Sequence, residues 1–96
     1  MPTVYCVNKS THDFSDAERF GELHFLSEGA LKKTEVTQMA RMFSEHLKDS
    51  TIEDYILITG MSVMSSIACS IFVSLHKRLN LLIYNGRKYV TRTVIL

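Results

Sequence analysis

From Tyr55 to Leu75 the chain runs 21 residues without a formal charge and then meets His76-Lys77-Arg78. An uncharged run of that length, closed by cations, has the span and flanks of a membrane helix. Its internal punctuation argues otherwise. Tyr55-Ile56-Leu57-Ile58-Thr59 is β-branched and aromatic and stops at Gly60, as a buried strand does, and five serines interrupt the stretch beyond that glycine. The segment is therefore predicted as a strand, a turn at Thr59-Gly60-Met61-Ser62, and a helix from about Ser62 to Lys77. A strand that is apolar at nearly every position belongs in the middle of a parallel sheet, covered on both faces. In a chain of 96 residues no other segment can supply that core, so one domain and no membrane contact are expected.

The rest of the chain supplies partners for this unit. Thr3 to Val7 is a short apolar strand, and the polar run Asn8-Lys9-Ser10-Thr11-His12-Asp13 after it is expected as a loop that stays out of the core. Ser15 and Glu18 have capping-box spacing, which predicts a helical turn over Asp16 to Phe20 ended by Gly21. Glu22 to Ser27 alternates like a second strand. Val36, Met39, Ala40, Phe43 and Leu47 recur at helical spacing, with Thr37, Gln38, Arg41, Glu45 and Lys48 on the other side. Ser50 and Glu53 repeat the capping spacing ahead of Tyr55. Leu79 to Tyr84 reads as a strand, Asn85-Gly86 as a hairpin turn in which both residues tolerate positive φ, and Lys88 to Ile95 as an edge strand. The order β, short helix, β, helix, β, helix, β, β predicts an α/β domain: a small two-layer or three-layer Rossmann-like arrangement with right-handed crossovers. Its sheet is mainly parallel, has four to five strands and ends in a C-terminal hairpin.

Composition excludes several functions. With 11 basic and 10 acidic residues spread along the chain, no footprint for duplex nucleic acid exists. Cys6 and Cys69 have no partners at metal-ligand spacing and read as buried free thiols of a reducing, cytoplasmic compartment. His24, His46 and His76 are scattered without ligand spacing, so neither metal nor cofactor is expected. Lys77-Arg78 with Arg87-Lys88 and Arg92 would make a basic patch only if the hairpin packed beside the helix end, and a solvated face is the expected reading.

In an open parallel sheet, ligands bind beyond the carboxyl ends of the strands, where loops converge and helix N-termini point. That rule selects Asn8, Lys9, Ser10, Thr11, His12 and Asp13 after the first strand. It selects Thr59, Gly60, Met61, Ser62 and Ser65 after the third, and Asn85 and Arg87 after the fourth. Glycine, hydroxyls and a helix N-terminus suit a phosphate or carboxylate, but the turn has neither the spaced glycines of a dinucleotide fingerprint nor the P-loop lysine. His12-Asp13 with Ser10, Ser62 or Ser65 does not compose a triad, because adjacent loop residues seldom face each other, so catalysis is not expected. Asp13 is expected to turn the chain. The helix after the turn carries Ser62, Ser65, Ser66, Ala68, Cys69, Ser70 and Ser74, a small-residue surface suited to a second copy of the chain.

The run His12-Asp13-Phe14-Ser15-Asp16-Ala17-Glu18-Arg19-Phe20-Gly21, then Asp54-Tyr55-Ile56-Leu57-Ile58-Thr59-Gly60, then Leu79-Asn80-Leu81-Leu82-Ile83-Tyr84, resembles small tailed-bacteriophage proteins. The resemblance implies a viral, host-cytoplasmic setting and no defined activity. Small phage proteins of this scale include oligomeric sponges that sequester nucleotide immune signals, such as cyclic oligonucleotides or cyclic ADP-ribose derivatives. By that analogy the chain is expected to be a non-enzymatic homo-oligomer, joined through helix 62–77, that binds an anionic nucleotide-like ligand. The alternatives are an inhibitor of a host protein, acting through the amphipathic helix or hairpin edge, and, third, an enzyme that cleaves such a nucleotide.

Overall fold

The computed structural model describes residues 1–9, 12–29, 32, 34–59 and 62–96. Five strands form one sheet: β1 (Thr3–Cys6), β2 (Glu22–Phe25), β3 (Tyr55–Leu57), β4 (Arg78–Tyr84) and β5 (Tyr89–Ile95), in the order β2-β1-β3-β4-β5. The first four are parallel and β5 returns antiparallel to β4, so the α/β class, the parallel sheet and the terminal hairpin are as expected. Among the described residues the helical elements are the 3-10 turn η1 (Ser15–Phe20), α1 (Val36–Leu47) and α2 (Ser62–His76).

Strand alternation builds two cores. Along β1, Tyr5 and Val7 face one side of the sheet and Val4 and Cys6 the other, because successive side chains point to opposite faces. The first face, with Ile56, is covered by Met39 and Phe43 of α1 and Met64, Ala68 and Phe72 of α2. The second, with Leu57 and Leu82, is covered by Phe14 and by Ala17 of η1. The chain moves one way across the sheet through η1 and back through α1 and α2. Crossovers of one hand require such helices to lie on opposite faces.

Several local devices differ from their sequence signals. Ser15 does not cap η1: Asp13 Oδ1 accepts the Ser15 backbone N–H at 2.9 Å, so Asp13 turns the chain into the 3-10 helix and the capping box is not formed. Nor does Ser50 cap the turn before β3. Its hydroxyl lies 2.6 Å from the Leu47 carbonyl oxygen and 2.8 Å from His76 Nε2, which ties the C-terminal ends of α1 and α2 together. Asp54 makes that turn instead, accepting the Thr51 N–H at Oδ2 and, from across the sheet, the Thr3 N–H at Oδ1.

The hairpin is a four-residue connection in which Gly86 alone takes positive φ, at 95°. Asn85 uses its side chain, Oδ1 accepting the backbone N–H of Arg87 and of Lys88 at 3.0 Å each. Among the described residues no helix is long and apolar enough to cross a membrane.

Candidate functional site

The sheet reverses its order of growth between β1 and β3, since the chain passes from β1 to β2 on one side and then returns to β3 on the other. Loops leaving the carboxyl ends of those two strands diverge to opposite faces, and a crevice opens at such a switch point. The register fixes what stands there. Cys6 pairs with Phe25 and with Leu57, and Leu57 with Leu82. Two residues further on come Ser27, Asn8, Thr59 and Tyr84, the next positions of the same parity beyond the paired ends of the four parallel strands. The Ile58 N–H donating to the Leu82 carbonyl at 3.0 Å carries the β3–β4 register past the last paired residue. Having the parity of Cys6 and Leu57, these positions belong to the face that η1 covers.

Asn8 is buried, contrary to the expectation that the polar run avoids the core. Its amide is satisfied there: Ser27 Oγ lies 2.9 Å from Oδ1, and Nδ2 donates to the Gly29 carbonyl at 3.1 Å. Ser27 Oγ also lies 2.6 Å from the Val7 carbonyl. Backbone bonds from Leu26 N–H to Cys6, Lys9 N–H to Ser27 and Gly29 N–H to Lys9 run the β1–β2 ladder on past both strands. The predicted β2 end at Ser27 is thus a hydrogen-bonded extension, and Asn8 is a clamp within it. Lys9 is exposed, with its ammonium 5.6 Å from the Phe25 ring centroid.

His12 is exposed and packs edge-on against Phe14 and Tyr84, at ring-centroid distances of 4.9 and 6.4 Å. Tyr84 is 45% exposed and its ring centroid is 5.1 Å from that of Tyr89. The first and fourth loops therefore meet over an open aromatic surface. Asp13, exposed beside it, has its carboxyl pulled below the usual carboxylate range, chiefly by the Ser15 backbone N–H.

Across the sheet end, Thr59 is half-buried and Ser62 is exposed on the first turn of α2. Ser65 on that turn is buried, and among the described residues its hydroxyl has no hydrogen-bond partner. Leaving such a group unpaired costs about 1–3 kcal/mol. Cβ atoms tilt toward a helix N-terminus, so the Ser65 hydroxyl leans back under the first turn. Arg87 is exposed in the hairpin loop at the same end of the sheet. Ser10, Thr11, Gly60 and Met61 lie outside the described residues.

The basic groups do not gather. Lys77 and Arg78 stand at the start of β4 and Arg87 and Lys88 beyond its end, about 20 Å apart for a strand of this length. Arg78 Nε donates to Asn80 Oδ1 at 2.9 Å, and Arg92 donates to the neighbouring Thr91 carbonyl at 2.7 Å.

A family model described as "Phage Pam3 gp32-like protein" matches residues 2–94. The chain belongs to this family. The match runs from ahead of β1 to the penultimate residue of β5, so the positions at the sheet end and the helices flanking them are all inside the family's extent. No curated protein and no solved structure matches the chain.

Proposed function

We propose that this phage-family protein is a non-enzymatic binder that sequesters an anionic, nucleotide-like signalling ligand in the host cytoplasm. The ligand class is a cyclic oligonucleotide or a cyclic ADP-ribose derivative. The observation that carries this reading is the row Asn8, Thr59 and Tyr84 at the switch point, with the His12 and Tyr84 rings on its outer side and the first turn of α2 behind it. A base stacks on the aromatic surface, and the anionic portion lies toward Thr59 and the N–H groups of α2. The unpartnered Ser65 hydroxyl supports a polar occupant there. An exposed histidine and a capping aspartate supply no nucleophile, which favours holding the ligand over cleaving it.

The assembly is proposed as a homo-oligomer joined through α2. Its outer face presents Ser62, Ser66, Ser70 and Ser74. The Ser66 and Ser70 hydroxyls bond back to the carbonyls of Ser62 and Ser66 at 2.8 and 2.9 Å. Those hydroxyls ask little of water, and small side chains admit a close neighbour.

Isothermal titration of the protein against a panel of cyclic and linear nucleotides tests the reading. Binding by wild type is expected, and Tyr84→Ala should weaken it about tenfold or more, since stacking is worth about 1–3 kcal/mol per base. No binding across the panel, or equal affinity in Tyr84→Ala and Thr59→Val, would count against this site.

A second reading rests on the end of β5, where Val94 and Ile95, with Leu96 just after the strand, are exposed at the edge of the sheet. These residues favour a host-protein inhibitor that uses the hairpin. The outward face of α1 is mostly polar, because Met39, Phe43 and Leu47 are spent on the core. A stoichiometric host protein retained by wild type and lost in Ile95→Lys would favour this alternative.

A further inference from the structure

His24 on the edge strand β2 and His46 near the end of α1 are 22 positions apart, and the fold sets them face to face. His24 Nε2 lies 2.8 Å from His46 Nδ1, with ring centroids 5.0 Å apart and planes crossing at 67°. Between neutral imidazoles this is a hydrogen bond in which one ring lends an N–H and the other a lone pair. The same convergence is half of a transition-metal site. Zinc–nitrogen bonds of about 2.0–2.1 Å at a tetrahedral centre set two ligand nitrogens about 3.3 Å apart, so the rings must separate by about 0.5 Å and turn until both lone pairs aim at the ion instead of along the N···N line. Both rings then carry their proton on the distal nitrogen, Nδ1 of His24 and Nε2 of His46, and the neutral pair loses no proton.

The surroundings favour a cation. Glu22 precedes His24 by two residues, so it stands on the same face of β2, and its charge acts on His24. Asp49 follows His46 by three residues at the end of α1, and its charge acts on Tyr5. The buried Tyr5 ring lies 5.2 Å from the His24 ring and braces it from the core side. Among the described residues no group of three or more potential ligands is preformed. The pair lies on the exposed side of the molecule, so water and Glu22 can complete the shell.

We propose that His24 and His46 bind a divalent transition-metal ion of the imidazole-preferring class, zinc being the reference member, and that the ion pins the edge strand β2 to α1. This site lies on the helical face of the sheet, opposite the face to which the switch-point row belongs, and it is independent of the nucleotide reading.

Calorimetric titration of the whole protein with zinc chloride at about pH 7.5 should show one ion per chain and a thermal midpoint that rises with zinc, while magnesium does neither. His24→Gln and His46→Gln should each weaken zinc at least about tenfold, and uptake should weaken as the solution is acidified, because protons compete with the ion for imidazole nitrogen. Either substitution could loosen the β2–α1 contact, so the wild-type protein supplies a second measurement. Substoichiometric cobalt(II) should broaden the ring resonances of His24 and His46 ahead of those of His12 and His76. Zinc affinity unchanged in both variants overturns the proposal. So does broadening that reaches all four histidines alike, or a wild-type Kd above about 1 mM.

Discussion

On one face of the sheet, α1 and α2 lay Met39, Phe43, Met64, Ala68 and Phe72 over Tyr5, Val7 and Ile56, while on the other the six-residue turn η1 reaches Val4, Cys6 and Leu57 through Ala17 with help from Phe14. The helical face is a continuous core whose members support one another. The η1 face carries a thinner cap that leaves Thr91, Thr93 and Ile95 of β5 exposed. The row of Asn8, Thr59 and Tyr84 belongs to this second face. Stability is thus concentrated on one side of the sheet and the accessible chemistry on the other.

Four measurements would break or sharpen that contrast. The largest effect is expected at Phe43, fully buried in the helical core, where Phe43→Ala should cost about 3–5 kcal/mol in urea unfolding. Phe14→Ala on the η1 face should cost visibly less, because that ring lies at the margin of a thinner cluster. Equal costs would mean the two faces are not mechanically distinct.

Next is Gly21, where η1 hands over to β2. A Cβ there would stand 2.2 Å from the Pro2 carbonyl oxygen, which also accepts the Glu22 N–H at 3.1 Å. Since the obstacle is backbone, Gly21→Ala should cost about 1–3 kcal/mol. A wild-type unfolding midpoint would show that the β1–β2 edge yields more easily than its packing indicates.

Smaller and kinetic is thiol reactivity. Burial pushes the Cys6 thiol up to about 12 and also raises that of Cys69, which is half-buried on α2. A thiol-specific reagent should label Cys69 first in native protein, and Phe14→Ala should accelerate Cys6 selectively by opening the face it points to. Acceleration of both thiols together would signal global loosening instead.

The smallest effect concerns pH. Burial is the main cause of the lowered His24 pKa; the His46 charge adds to it and Glu22 opposes it. A histidine whose folded-state pKa lies below its unfolded value binds fewer protons when folded. Its contribution is therefore at its most favourable above about pH 6.5, is lost as pH falls below that value, and levels off below the folded pKa. Unfolding midpoints measured across that window should slope in wild type and flatten in His24→Gln. An identical slope in both would assign the dependence elsewhere.

Much of this architecture was legible because it rests on period and punctuation. The apolar run Tyr55-Ile56-Leu57-Ile58 needed cover on both faces, and the Met39-Phe43-Leu47 stripe needed one sheet to lie on. The ends of elements were less legible, since a hydroxyl and a carboxylate at capping distance say nothing of which neighbour competes. Asp13 and Asp54 took the roles that Ser15 and Ser50 signalled. Asn8 looked like a loop residue because its partners, Ser27 and Gly29, lie about twenty positions away. Separation along the chain likewise concealed the meeting of His24 with His46 and the much longer-range meeting of His12 with Tyr84. Spacing along the chain registers only contacts within an element, whereas these arise from strand order.

The splice beyond β1 and β2 has a consequence for how this sequence can drift. Asn8 and Ser27 share one buried hydrogen bond, while Lys9 and Glu28, bridged beside them, face solvent. Positions 9 and 28 can exchange residues singly. A change at 8 leaves the Ser27 hydroxyl its Val7 carbonyl, whereas a change at 27 takes a contact from both Asn8 Oδ1 and that carbonyl, so in related chains position 27 should be the more constrained of the two.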